Sequence, residues 1–130
     1  MLTKGLKDEK QRQLNQILNA GLQLAFVPEL WNLEEKRRVD EILQQTLNVP
    51  LSDLVAMPLE DLLQVLEREK FSFSNMESLA DLLLKTATVE QASQSVLAKK
   101  ALAIYDFAQV QSKTFSFTIL EKSQKAQKLI

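Results

Sequence analysis

The chain has 130 residues, 45% of them apolar and 25% charged, with two Gly, three Pro and a net charge of −1. That length suits a single domain spanning residues 1–130, and a domain of this size buries about two-thirds of the surface its unfolded chain exposes. Neither Cys nor His occurs, which excludes disulfides, thiolate zinc sites, imidazole bases and His-assisted nucleophiles.

From Asp8 onward, Leu14, Ile17, Leu18, Gly21, Leu22 and Ala25 recur at the spacing of one helix face. Asp8 with Gln11 reads as a capping box, and Pro28 ends or kinks this helix near Phe26, because the residue before proline avoids helical backbone. Asn32 with Glu35 marks a second start. Val39, Ile42, Leu43, Thr46 and Leu47 then carry an apolar face to Asn48 and Pro50, so residues 1–48 form a helix pair. In residues 52–130, Ser52 caps a short helix that Pro58 interrupts. Pro58 suits the first turn of the next helix, which has Leu59, Leu62, Leu63 and Leu66 on one face and Glu60 and Asp61 where the macrodipole favours them.

A Phe-Ser-Phe-hydroxyl-x-x-Glu phrase then occurs twice, from Phe71 and from Phe115. Ser74 with Glu77, and Thr118 with Glu121, read as capping boxes. Downstream the apolar patterns disagree, Leu79 aligning with Ser123 and Leu82 with Ala126, so the phrase is a helix-starting device and not a stacked repeat. In extended backbone, residues two apart share a side. Each phenylalanine pair therefore reads as a plug into the core, with Phe73 and Phe117 expected to be mostly buried; the alternative is that at least one pair is an exposed aromatic anchor for a partner. The helix after the first phrase buries Met76, Leu79, Ala80, Leu83 and Ala87. The helix between the phrases carries a stripe of Leu97, Ala101, Ile104, Tyr105 and Ala108.

The segment "KKALAIYDFAQ" resembles the second helix of a tetratricopeptide repeat, through the small-x-x-x-aromatic-x-x-small pattern of Ala101, Tyr105 and Ala108. From Val39 onward the chain also resembles small bacterial helical proteins of unknown function that pair a leucine-rich middle with a "KAL-x-IY" helix and a final "TFSF" start. The resemblance implies paired antiparallel helices with a concave peptide-binding face. The expected fold is all-α, about six helices in an irregular bundle or a short tetratricopeptide-like stack.

Charge is unevenly spread. Residues 29–90 carry six basic and thirteen acidic side chains, a balance of −7, and residues 91–130 carry six and two, a balance of +4. Such a split steers self-association or an acidic partner. The isolated Gly5 and Gly21 make no phosphate loop. The carboxylates fall on water-facing helix sides, so neither a catalytic residue, a cofactor nor a metal site is expected. The function that fits is a non-catalytic protein-interaction or adaptor module, taking a protein or peptide partner or a second copy of itself as a homodimer. Leu24, Phe26, Trp31 and Leu84, which lie off the main stripes, are its candidate contact surface, although Trp31 reads first as an interhelix plug and second as a hot spot. The alternative is a nucleic-acid binder using Lys122, Lys125 and Lys128, whose contacts would be steeply salt-dependent. Asp8 and Glu9 sit where a signal peptide needs basic residues, and no run spans a bilayer. A soluble cytoplasmic protein without a membrane role is expected.

Overall fold

The computed structural model describes the backbone of residues 2–130 and the side chains of residues 8–130. All regular structure among them is helical. The first helix, α1 (Leu2–Leu22), begins well before Asp8. Residues 2–7 contain one Gly and no Pro, so nothing stops the helix upstream of the expected capping box. Gln11 Nε2 donates instead to the Lys70 carbonyl at 3.1 Å.

Pro28 opens the second helical passage instead of closing the first. It is the first residue of α2 (Pro28–Leu30), which runs through a π-helical turn (Trp31–Glu35) into α3 (Lys36–Leu47). Asn32 therefore lies inside a helical passage and starts nothing. The Glu35 carboxylate reaches back to accept the Ala25 N–H at 2.8 Å. α3 closes on Asn48 in the left-handed conformation. The starts of α4 (Leu51–Ala56) and α5 (Leu59–Arg68) are Pro50 and Pro58. Ser52 is not the cap of α4, because the Asp40 carboxylate already takes the Leu51 N–H at 2.7 Å.

The remaining helices are α6 (Phe73–Val89), α7 (Gln94–Ser112), reached through a short 3₁₀ turn, and α8 (Phe117–Gln127). Counting Pro28–Leu47 as one passage, these are seven helices, as the all-α reading expects. The doubled phrase does start two helices, but its capping residue is the serine between the phenylalanines. Ser72 Oγ accepts the Asn75 N–H while Asn75 Oδ1 accepts the Ser72 N–H, a reciprocal box. Ser116 Oγ likewise accepts the Ile119 N–H. Ser74 and Thr118 sit within the first turns, and Glu77 and Glu121 cap nothing.

That shift of two residues moves Phe73 and Phe117 from extended backbone into helix, where each follows the face of its own helix. Phe73 is in phase with Met76, Ala80, Leu83 and Ala87 and is half-buried. Phe117 is two residues, or about 200°, from Ile119 on a helix that buries Ile119, Ser123 and Ala126. It is 76% exposed, and Phe115 is 66% exposed. The burial expected for Phe117 is thereby overturned.

α6 forms the centre. α7 lies antiparallel to it, Tyr105 meeting Asp81 and Gln94 meeting Ala87. α1 lies parallel, through the pairs Asn15–Asn75 and Asn19–Ser78. At Gly21 a Cβ would stand 2.7 Å from Ile42 Cδ1 and 3.1 Å from Leu82 Cδ1, so the missing side chain lets α1, α3 and α6 meet. The stripes read from the sequence on α6 and α7 are all buried. Asn75, fully buried, also donates to the Gln11 carbonyl and to Asn15 Oδ1 at 2.9 and 2.7 Å. It thus ties the cap of α6 to α1.

Asn75→Ala removes one side of the box and leaves buried polar partners unsatisfied. Urea denaturation should show a loss of about 2–3 kcal/mol. Phe117→Ser, on the exposed face of α8, should cost only about 0.5–1.5 kcal/mol, the worth of its contact with the Phe115 ring.

Candidate functional site: a lysine-edged groove

Three helices that pack against one another leave a furrow wherever their side chains do not meet. α8 packs against both α7 and α6, Lys122 reaching Glu77 and Asp81 of α6. Between them lies a groove of about 440 Å³. α6 lines it with Asp81, Leu84, Lys85 and Thr88, α7 with Tyr105, and α8 with Lys122 and Lys125, followed by its C-cap Lys128 and by Leu129. Its floor is apolar and four lysines surround it.

The groove is braced by a polar chain across the three helices. Tyr105 Oη donates to Asp81 Oδ1 at 2.5 Å. Lys122 Nζ donates to Asp81 Oδ2 at 2.9 Å and to Glu77 Oε2 at 2.8 Å. Burial, the Asp81 hydrogen bond and the nearby carboxylates together push the Tyr105 hydroxyl far above its ordinary value. For Lys122, burial disfavours the ammonium, but the bonds to Glu77 and Asp81 outweigh it and the pKa ends above its ordinary value. Glu77, expected as a capping residue, serves here as half of a cation clamp.

The candidate residues read from the sequence divide clearly. Leu84 and the three lysines, set down as parts of two competing surfaces, line the same groove. Lys125 and Lys128 are exposed, whereas Lys122 is held between carboxylates. Phe26 and Leu24 pack half-buried against the core. Phe26 has a positive φ of 53°, which strains a residue with a Cβ, and its ring stacks on Trp31 at 6.3 Å. Lys85, which also lines the groove, has its Nζ 5.9 Å from the centroid of that ring. Trp31 is 1% exposed, with Nε1 3.4 Å from Glu90 Oε2, so it serves as the interhelix plug.

Sequence reading missed Asp81, Lys85, Thr88 and Tyr105 as groove residues. The signal was present: Asp81, Leu84, Lys85 and Thr88 follow the i, i+3, i+4, i+7 spacing of one face, a second stripe on a helix whose main stripe is core. Also missed were Leu30 and Leu33, 45% and 78% exposed on the second helical passage beside Glu29 and Glu34. Among the described residues no three Asp or Glu side chains converge to hold a metal ion, and no helix is long and apolar enough to cross a membrane. Neither a protein-family model, a curated protein nor a solved structure matches the chain significantly.

The brace makes a pH signature. Tyr105 and Lys122 both bind their protons more tightly when folded than their ordinary values of 10.0 and 10.5 allow. Their contribution to stability is whole below those values and drains as the pH rises towards the folded ones. Thermal melts should therefore show stability falling from about pH 10 upward. Tyr105→Phe, which has no proton to lose, should flatten that fall by up to about 1.4 kcal/mol per pH unit. Parallel curves for the two proteins would remove the brace from the account.

Proposed function

We propose that the chain is a non-catalytic protein-interaction module whose α6–α7–α8 groove takes an acidic amphipathic segment of a protein. The observation that carries this reading is the meeting of an apolar floor, Leu84 and Leu129, with a lysine edge in one furrow. An amphipathic helix laid in such a groove buries its apolar face, and carboxylates on its flanks reach the ammonium groups. Charge complementarity of this kind sets orientation and the rate of encounter. The tetratricopeptide-like pattern of α7 supports the same reading, since in that architecture paired antiparallel helices present a peptide-binding face.

The nucleic-acid reading draws less support from the site. Lys122 is already neutralised by two carboxylates, which leaves Lys85, Lys125 and Lys128 as the groove cations with no carboxylate partner among the described residues. The floor beneath them is apolar, where a phosphate backbone gains nothing.

A fluorescent helical peptide with leucines on one face and glutamates on its flanks provides the test. Anisotropy should show saturable binding that K125E/K128E weakens at least about tenfold. A peptide with lysine in place of glutamate should not bind. Failure of the acidic peptide to bind the chain at concentrations where the chain is monomeric, or binding unmoved by K125E/K128E, overturns the reading. Preference for heparin over the peptide, abolished by the same substitutions, would favour the polyanion alternative.

A further inference from the structure

Resting on that groove, we infer that its occupant is a second copy of this chain, which inserts the acidic leucine knob of its own second helical passage. The knob is formed by Leu30 and Leu33, three residues apart in a continuous helical passage and 45% and 78% exposed. Leu33 is the most exposed of the large apolar side chains described. Glu29 and Glu34 flank the two leucines and are exposed. Arg37 bridges Glu34 and Glu41 at 3.3 and 3.0 Å, so those two glutamates share one arginine. The neighbouring Lys36 is taken by Glu90 at 2.9 Å. The knob is thus apolar at its tip and negative at its base, the complement of an apolar floor edged by lysine.

Placement favours a closed pair. Phe26, two residues before α2, lies under the ammonium of Lys85, and Lys85 lines the groove. The segment that leads into the knob is thus in contact with a groove-lining residue. A knob whose approach touches the groove permits a two-fold arrangement in which each copy both gives and receives. Reciprocity also matters for area. A stable interface needs about 800 Å² from each partner, more than one pair of leucines in one furrow supplies. Two knob-in-groove contacts double the contact and leave no unfilled site for a third copy.

The knob also explains an otherwise costly feature. Leu33 would be a poor choice for a surface position that did nothing, and it sits in a π-helical turn, a local departure that recurs at functional positions in helices. The turn holds Trp31 inward to the core and Glu35 inward to the Ala25 N–H. The residues between them, Asn32, Leu33 and Glu34, are thereby left outside.

Sedimentation equilibrium on the full chain tests the inference. The parent should be a dimer. E29K/E34K and K125E/K128E, each alone, should raise the dimer dissociation constant at least about tenfold. An equimolar mixture of the two should recover a dimer, since each reversed knob then faces a reversed groove. Leu33→Asp should be monomeric with an unchanged circular-dichroism spectrum, which separates lost contact from lost fold. A parent that is monomeric at millimolar concentration overturns the inference, as does a dimer that no reversal dissociates or a mixture that stays monomeric. The acidic-peptide test, run on E29K/E34K, whose groove is intact, separates the two readings. Peptide binding by a chain whose parent is monomeric would leave the groove assignment standing and remove only the second copy.

Discussion

The enclosure of α6 on three sides is the constraint from which the rest of the structure follows. Eight of its seventeen residues are buried, against α1 on one flank, α7 on another and α8 on a third. A helix surrounded in that way has one strip left for solvent, and here the strip is Asp81, Leu84, Lys85 and Thr88. Core and groove are thus two faces of the same rod. Anything that rotates α6 to improve one must disturb the other. Two polar ties fix its rotation where apolar packing alone would allow slippage: Asn75 to α1 at the N-terminal end, and Asp81 to Tyr105 and Lys122 in the middle. Buried polar groups of this kind add little net stability but penalise every arrangement in which they lose their partners.

The same ties change what the charge distribution means. The last third of the chain is basic by count, which suggests a cationic surface. Two of its lysines are internal instruments. Lys100 is buried and donates to the Met57 carbonyl at 2.7 Å, beyond the end of α4, and burial pushes its pKa down. Lys122 is clamped by Glu77 and Asp81. Lys125 and Lys128 remain at the groove, joined by Lys85 from the acidic middle of the chain. The functional charge pattern is therefore a local assembly from segments of opposite bias, and the totals for each third do not report it.

How much of this was legible in the sequence depends on which physical signal carried it. Apolar periodicity located the buried faces of α6 and α7 residue by residue, because burial is what selects leucine and alanine at those spacings. Helix starts were less legible, since several groups competed for each exposed N–H. Asp40 reached Leu51 from another helix, and Glu35 reached Ala25 across a loop. No local rule contains those distant acceptors. The groove was legible only as fragments, Leu84 in one proposal and the lysines in another. Its walls come from three helices, and their juxtaposition is a tertiary fact.

The doubled phrase shows the limit most clearly. Both copies follow a lysine in left-handed backbone, Lys70 and Lys113, and both cap a helix with the central serine. In both, the residue before the cap and the fourth helical residue are apolar, Phe71 with Met76 and Phe115 with Leu120, the positions of a hydrophobic staple. The first pair is 6% and 5% exposed, the second 66% and 41%. The shared serine cap and staple positions therefore set how the chain enters a helix and leave open whether that corner meets the core. The deciding quantity is the phase between cap and buried stripe. On α6 the stripe passes through Phe73; on α8 it passes through Ile119 and misses Phe117. With no core within reach, Phe115 and Phe117 pack edge to face on each other at 5.3 Å, recovering about 0.5–1.5 kcal/mol, and the second corner is ordered without being buried.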